Sequence, residues 1–248
     1  CSVSGIAQFI TNRGIHELKE WLEAGYDTIQ EWDNQYSDWF AVPNSIKTTS
    51  VKPSGTVSLL AGATPGLHYP ESRFYIRRVR LSKHSELLEP LKKAGYKIEP
   101  AFGSEDTTSV VEVPVDVGEG IRTAGELSIW EQFNIAAFMQ RHWADNQVSC
   151  TVTFNPQTEG EQIPHVLNYF QYHLKGISLL PRHDYGAYPQ MPYESIDEKE
   201  YNKQIKKLGK LSFGVIKNEE AEIDKFCNND SCEVPSFTGD NDDQEYAN

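Results

Sequence analysis

The chain has 248 residues, 38% hydrophobic and 11% aromatic, with a net charge of −13. That content builds a sizeable core and excludes a disordered chain, and no apolar run approaches the ~20 residues that cross a bilayer as a helix. Residues 219–248 carry ten acids against one base, Lys225, which leaves −9 there and −4 on the rest; the tail is therefore solvated and acidic, and no basic face is left for nucleic acid.

Taken in chain order, the sequence opens on Cys1 and runs straight into VSGIAQFI. This reads as an internal fragment or a processed product, with protein splicing and an arbitrary boundary both consistent with it. Residues 15–36 place Leu18, Leu22, Ile29, Trp32 and Tyr36 near a 3.6-residue period, the pattern of an amphipathic helix. Pro43 closes that region. A short strand is expected at Ser50–Val51, running into Lys52-Pro53-Ser54-Gly55-Thr56. A strand over 74–81, a helix over 87–94 stopped by Gly95, and a Val-rich strand over 109–115 follow. Ser128-Ile-Trp-Glu131 has the form of a capping box and opens a helix with Trp130, Phe133 and Ala137 on one side. Next come a strand over 148–154, a helix over 164–174 burying Val166, Phe170 and Leu174, and a buried strand over 177–180. Residues 181–192 read as an ordered loop or boundary, and 196–208 as a charged helix. Strands alternating with helices predict an α/β fold with parallel strands.

Five groups of residues bear on chemistry. In Pro53-Ser54-Gly55-Thr56, Gly55 allows a tight turn and the hydroxyls suit a helix N-cap. A helix starting near Thr56 aims free N–H groups at whatever precedes it, which suits a phosphate; an ordinary turn is the competing reading. The cluster Arg73, Arg77, Arg78 and Arg80 reads first as partners for surface acids. The seven histidines show no ligand pattern, so no metal site is expected. Cys150 alternates with Val148 and Val152 and reads as a small core residue. Cys227 and Cys232, spaced C-x-x-x-x-C among Asn, Asp, Ser and Glu, leave open a structural disulfide, half of a zinc site, or a dithiol that carries two electrons elsewhere.

In order, CSVSGIAQF, SVKPSGTVSLLAGATPGLHYPESRFYIRRVR, WADNQVSCTVTFNP, LKGISLLP, YPQMPYE and the cysteine pair resemble the C-terminal portion of an adenosylcobalamin-dependent (class II) ribonucleoside-triphosphate reductase. The resemblance covers the chain to about Pro235. It implies the second half of a ten-stranded α/β barrel plus a C-terminal extension and flexible tail. The implied division is 1–180 for the half-barrel, 181–225 for a cobalamin-proximal subdomain, and 226–248 for a redox-active acidic tail. It further implies that Pro53, Ser54, Gly55 and Thr56 bind the phosphates of a ribonucleoside triphosphate. Cys227 and Cys232 would re-reduce an active-site disulfide and be reduced in turn by thioredoxin, and residues within 181–220 would help enclose adenosylcobalamin.

The resemblance is incomplete. The family's radical cysteine lies in an N-x-C-x-E loop, and no such loop occurs here. Neither Cys1 nor Cys150 matches the family's disulfide-forming pair. The chain is thus expected to need an N-terminal reductase portion carrying the radical cysteine, to be inactive alone, and to expose apolar edges where that portion packs. A cytoplasmic location, with neither membrane nor direct nucleic-acid partners, fits this reading. The alternatives are a fragment of a cobalamin-dependent diphosphate reductase and a non-catalytic assembly subunit of a split reductase.

Overall fold

The structure, a computed structural model, describes residues 1–55, 58, 61–182 and 189–212, with the backbone alone at 227–228 and 231–232. Thr56, residues 183–188 and 213–226, and nearly all of the expected acidic tail lie outside the described residues.

Four segments run side by side and parallel. Ser2 bridges Ser50 and Val51 bridges Val148. The chain then continues as β4 (Thr151–Phe154), which pairs with β5 (Ser178–Pro181) in the register Thr151↔Ser178 to Phe154↔Pro181. Helices fill the crossovers, as parallel pairing requires. α1 (Ile6–Arg13) and α2 (Ile15–Phe40) lie between the first two segments, and α4 (Ile129–His142) precedes the third. The short α5 (Pro156–Glu159) and α6 (Ile163–Phe170) separate β4 from β5. The core forms where these helices meet the parallel segments: Leu18 and Leu22 of α2, Ile129, Phe133, Ala136 and Met139 of α4, and Val166 and Phe170 of α6 close over Val51, Val148, Val152 and Phe154.

The chain between the second and third segments, joined by a strand from beyond the fourth, builds a separate antiparallel sheet, in the order β2-β3-β1-β6. β1 (Phe74–Ser82) and β3 (Thr108–Asp116) pair along nine residues, from Phe74↔Asp116 to Ser82↔Thr108. β2 (Lys97–Pro100) adds to β3 after the short α3 (Leu88–Lys93), and β6 (Tyr193–Ser195) adds to the far side of β1. α7 (Glu198–Ile205), capped by Asp197, packs on β1 and β3. The molecule is therefore mixed α/β. The parallel arrangement expected throughout holds for one set of segments and not for this sheet. There β2 and β3 are joined by only seven residues, 101–107, too few for a parallel crossover.

The Ser128 capping box forms as expected: Ser128 N donates to Glu131 Oε2 at 3.0 Å, and Glu131 N donates to Ser128 Oγ at 3.2 Å. One face of α4 is buried. Ile129, Phe133, Ala136 and Met139 point inward, whereas Trp130 turns outward against the Tyr169 and Phe170 rings and donates from Nε1 to Gln162. Among the described residues no helix is long and apolar enough to cross a membrane.

Candidate functional site

The second, third and fourth parallel segments deliver three groups at their carboxyl ends: the turn Lys52–Gly55 after Val51, Asn155 after β4, and Arg182 after β5. In parallel α/β sheets ligands bind outside these ends, where loops and helix N-termini converge.

The turn has an unusual backbone. Ser54 holds φ +51°, in the left-handed region that residues other than glycine seldom occupy. Its carbonyl then accepts a hydrogen bond from Ser58 N at 3.3 Å, the i-to-i+4 bond of a helical turn, and another from the Ser58 hydroxyl. The returning loop fixes the turn from behind. Gly66, at φ +50°, lies so close to the Lys52 carbonyl that a Cβ there would overlap it. Gln8 of α1 clamps the same loop, accepting from Thr64 N at 2.8 Å and donating to the Gly62 carbonyl at 3.0 Å. On the open side, the Tyr193 hydroxyl comes within 3.5 Å of where a Cβ on Gly55 would stand. The Tyr193 ring is held edge-on by Tyr75 and capped by the Arg77 guanidinium 4.6 Å from its centroid. Burial pushes the Tyr75 hydroxyl up to about 12, so it remains protonated.

Two further residues brace the strand ends. The buried Glu159 carboxylate accepts from Ile129 N and Asn155 N, both at 2.8 Å, and from Arg182 Nη2 at 3.3 Å. Arg182 also donates to the Ala124 carbonyl at 3.1 Å. His68, on the returning loop, accepts at Nε2 from Thr151 N at 3.2 Å, and burial holds it below the usual histidine range, so the ring is neutral. The sequence offered no sign of either role. Glu159 sits in an ordinary Asn-Pro helix start, and His68 acts through one main-chain contact 83 residues away.

The expected site residues are placed as follows. Pro53, Ser54 and Gly55 form the turn, while Thr56 lies outside the described residues. The backbone register sets Cys227 opposite Cys232 in a two-residue antiparallel pair, β7 (Cys227–Asn228) with β8 (Ser231–Cys232). Opposed antiparallel residues have Cα atoms about 4.5–5.5 Å apart, within the roughly 4.4–6.8 Å that a disulfide spans. Cys150 is buried, and desolvation pushes its thiol up to about 12, in keeping with a core residue. Of the arginine cluster, Arg73 pairs with Asp116 at 3.1 Å and Arg78 with Glu112 at 2.9 Å and also with Glu194. Arg77 covers Tyr193 and Arg80 is buried, so the cluster knits the antiparallel sheet together.

An adenosylcobalamin-dependent ribonucleoside-triphosphate reductase of Euglena gracilis is 55% identical over 237 residues, which cover 94% of this chain and 32% of that protein. This chain is a relative of the adenosylcobalamin-dependent ribonucleoside-triphosphate reductases. The corresponding reductase of Levilactobacillus brevis is 41% identical over 75% of the chain and 25% of its own length. A crystal structure of a B12-dependent (class II) ribonucleotide reductase superposes with a TM-score of 0.73 at 34% identity, covering 84% of this chain and 32% of the other. The chain thus spans about a third of the length of the reductases it matches. No protein-family model matches it.

Proposed function

We propose that this chain is the C-terminal portion of an adenosylcobalamin-dependent ribonucleoside-triphosphate reductase and supplies its substrate-phosphate turn and its tail dithiol. The observation that carries the reading is the Ser54–Gly55 turn, which opens a helical turn at the carboxyl end of a parallel segment in a chain 55% identical to such a reductase. Main-chain N–H groups at such a start hold phosphate oxygens, and the helix dipole favours their charge. Gly55 lets the phosphate approach the backbone, and Tyr193 bounds the approach on one side. The four parallel segments are read as four of the five strands in half of a ten-stranded barrel. Among the described residues, neither the Ser2 segment nor β5 carries a strand on its outer side, and those edges would meet the other half.

Adenosylcobalamin, when bound, supplies the radical that starts ribose reduction. In the described part of 181–220, Arg78 ties down the Met191 carbonyl, and Gln190 bonds Glu99 and the Pro100 carbonyl. Those groups are engaged within this chain, and we assign none of them to the corrin. The chain's own redox work is dithiol exchange. One thiolate of the Cys227–Cys232 pair attacks the disulfide formed in the active site and makes a mixed disulfide; the second thiol displaces it. Two electrons and two protons pass to the active-site cysteines, and thioredoxin then reduces Cys227–Cys232. Tethering keeps the dithiol near the site at roughly mM effective concentration. The compartment that suits this chemistry is the reducing cytoplasm.

The test uses this chain combined with the remaining two thirds of the Euglena gracilis relative. Cys227→Ser or Cys232→Ser should abolish thioredoxin-driven turnover and leave turnover with a small dithiol intact. Unchanged thioredoxin-driven turnover in both variants would instead make the chain an assembly subunit.

A further inference from the structure

We infer that the solvent face of α2 is a docking surface for a helix of the remaining reductase portion, an apolar helix with a basic flank. The inference rests on the proposal that such a portion works with this chain.

α2 is divided lengthwise into three stripes. Leu18 and Leu22 face the core. Trp21, Thr28, Trp32 and Trp39 follow one another at spacings of seven, four and seven, which keeps them on a single face. That face is open to solvent: Trp21 is 64% exposed, Trp32 47% and Trp39 65%. Between Trp21 and Thr28 the small residues Ala24 and Gly25 leave a shallow groove of about 410 Å3. The aromatics are held in place, since Trp21 sits edge-on to Phe9 at 5.7 Å and Trp32 stacks on Tyr36 at 5.4 Å. Large rings flanking a small-residue saddle form the relief into which the side chains of a crossing helix pack. Exposed tryptophans aligned over some five turns form the kind of contiguous apolar patch that marks an interaction site.

The third stripe decides the occupant. Glu20, Asp27, Glu31 and Asp38 each immediately precede a member of the aromatic stripe and repeat its spacing, so an acidic edge runs beside it for its whole length. α2 carries seven acids against Lys19 alone. A second copy would bring this charge against itself, and the chain's own tail, at −9, carries the same sign. A partner with Lys or Arg along one flank matches both stripes. The matched reductases are about three times as long as this chain, so the reading supplies a source for such a helix.

The experiment titrates the remaining two thirds of the Euglena gracilis relative into the full chain by calorimetry. Ala24→Arg with Thr28→Arg fills the groove at two exposed positions, and Trp39→Asp probes the far end of the stripe. Thermal melting of each variant alone confirms its fold. The expected result is at least tenfold weaker binding for each variant, with wild-type affinity falling as salt rises. Binding by the wild type with no loss in either folded variant overturns the docking surface and leaves the proposed function standing. Absence of wild-type binding overturns both. Wild-type dimerisation that the variants abolish, with binding of the reductase portion unchanged, assigns the face to a second copy and also overturns the inference.

Discussion

Arg182, at the end of β5, reaches back to Glu159, just beyond the end of β4, with Nη2 3.3 Å from Oε2. The same carboxylate holds the first N–H of α4 and the N–H of Asn155, so one buried side chain ties two strand ends to a helix start. Glu159→Ala leaves both N–H groups and the guanidinium without this acceptor. At about 1–3 kcal/mol for each unsatisfied buried group, the expected loss is roughly 3 kcal/mol or more. Glu159→Gln keeps an acceptor and should cost clearly less. Urea unfolding of the two variants checks the order; equal, small losses would show that the brace contributes little.

The two glycines of the turn region should respond differently to alanine. At Gly66 a Cβ would overlap the Lys52 carbonyl, and its φ is positive, so Gly66→Ala should cost about 1–3 kcal/mol. At Gly55 a Cβ meets, among the described residues, only the Tyr193 hydroxyl at an ordinary 3.5 Å, and Gly55→Ala should stay within about 0.5 kcal/mol of wild type. If phosphate binds there, Gly55→Ala should nevertheless raise the KM for nucleotide in the reconstituted reductase. Denaturation midpoints and KM values together separate the two roles.

Glu131 offers a pH test. The hydrogen bond from Arg122, followed by that from Ser128 N, lowers its carboxyl to about 2. A depressed carboxylate stabilises the fold above its unfolded pKa of about 4.3 and loses that contribution as pH falls toward about 2. Wild type should therefore exceed Glu131→Gln in stability at pH 6, and the gap should close by about pH 2. Carbon-detected NMR titration of Glu131 should show its midpoint near 2; an ordinary midpoint would contradict the capping geometry.

Thiol labelling separates the two cysteines that carry full description. Cys1 is exposed, whereas Cys150 is buried with its thiol pushed up to about 12. At pH 8 under native conditions Cys1 should react with an aromatic disulfide reagent within minutes, and Cys150 only on unfolding. Fast native labelling of Cys150, located by peptide mass mapping, would contradict its place in the core.

Local features were legible in the sequence where one short segment determines them. The Ser128 box, the periodicity of α2, and the Val-rich β3 each depend on neighbours a few residues apart. The Pro53–Gly55 turn was legible as a turn, but the left-handed Ser54 and the Gly66–Lys52 approach arise from a loop that closes only in three dimensions. The antiparallel sheet was misjudged because alternating strands and helices do not reveal which strands pair. β2, with only Lys97, Ile98, Glu99 and Pro100, carries no strand signal, and its place is set by β3. The side of its helix that carries Trp130 was legible, but not that Tyr169, Phe170 and Gln162 give it partners at the surface.

The central claim is that this chain is one part of a reductase, and reconstitution tests it most directly. The chain, the remaining two thirds of the Euglena gracilis relative, adenosylcobalamin, thioredoxin with its reducing system, and a ribonucleoside triphosphate are combined, and deoxyribonucleotide is measured by chromatography. Turnover should appear only when both polypeptides are present. Product from this chain alone, or none from the combination once binding of the two parts has been verified, would contradict it.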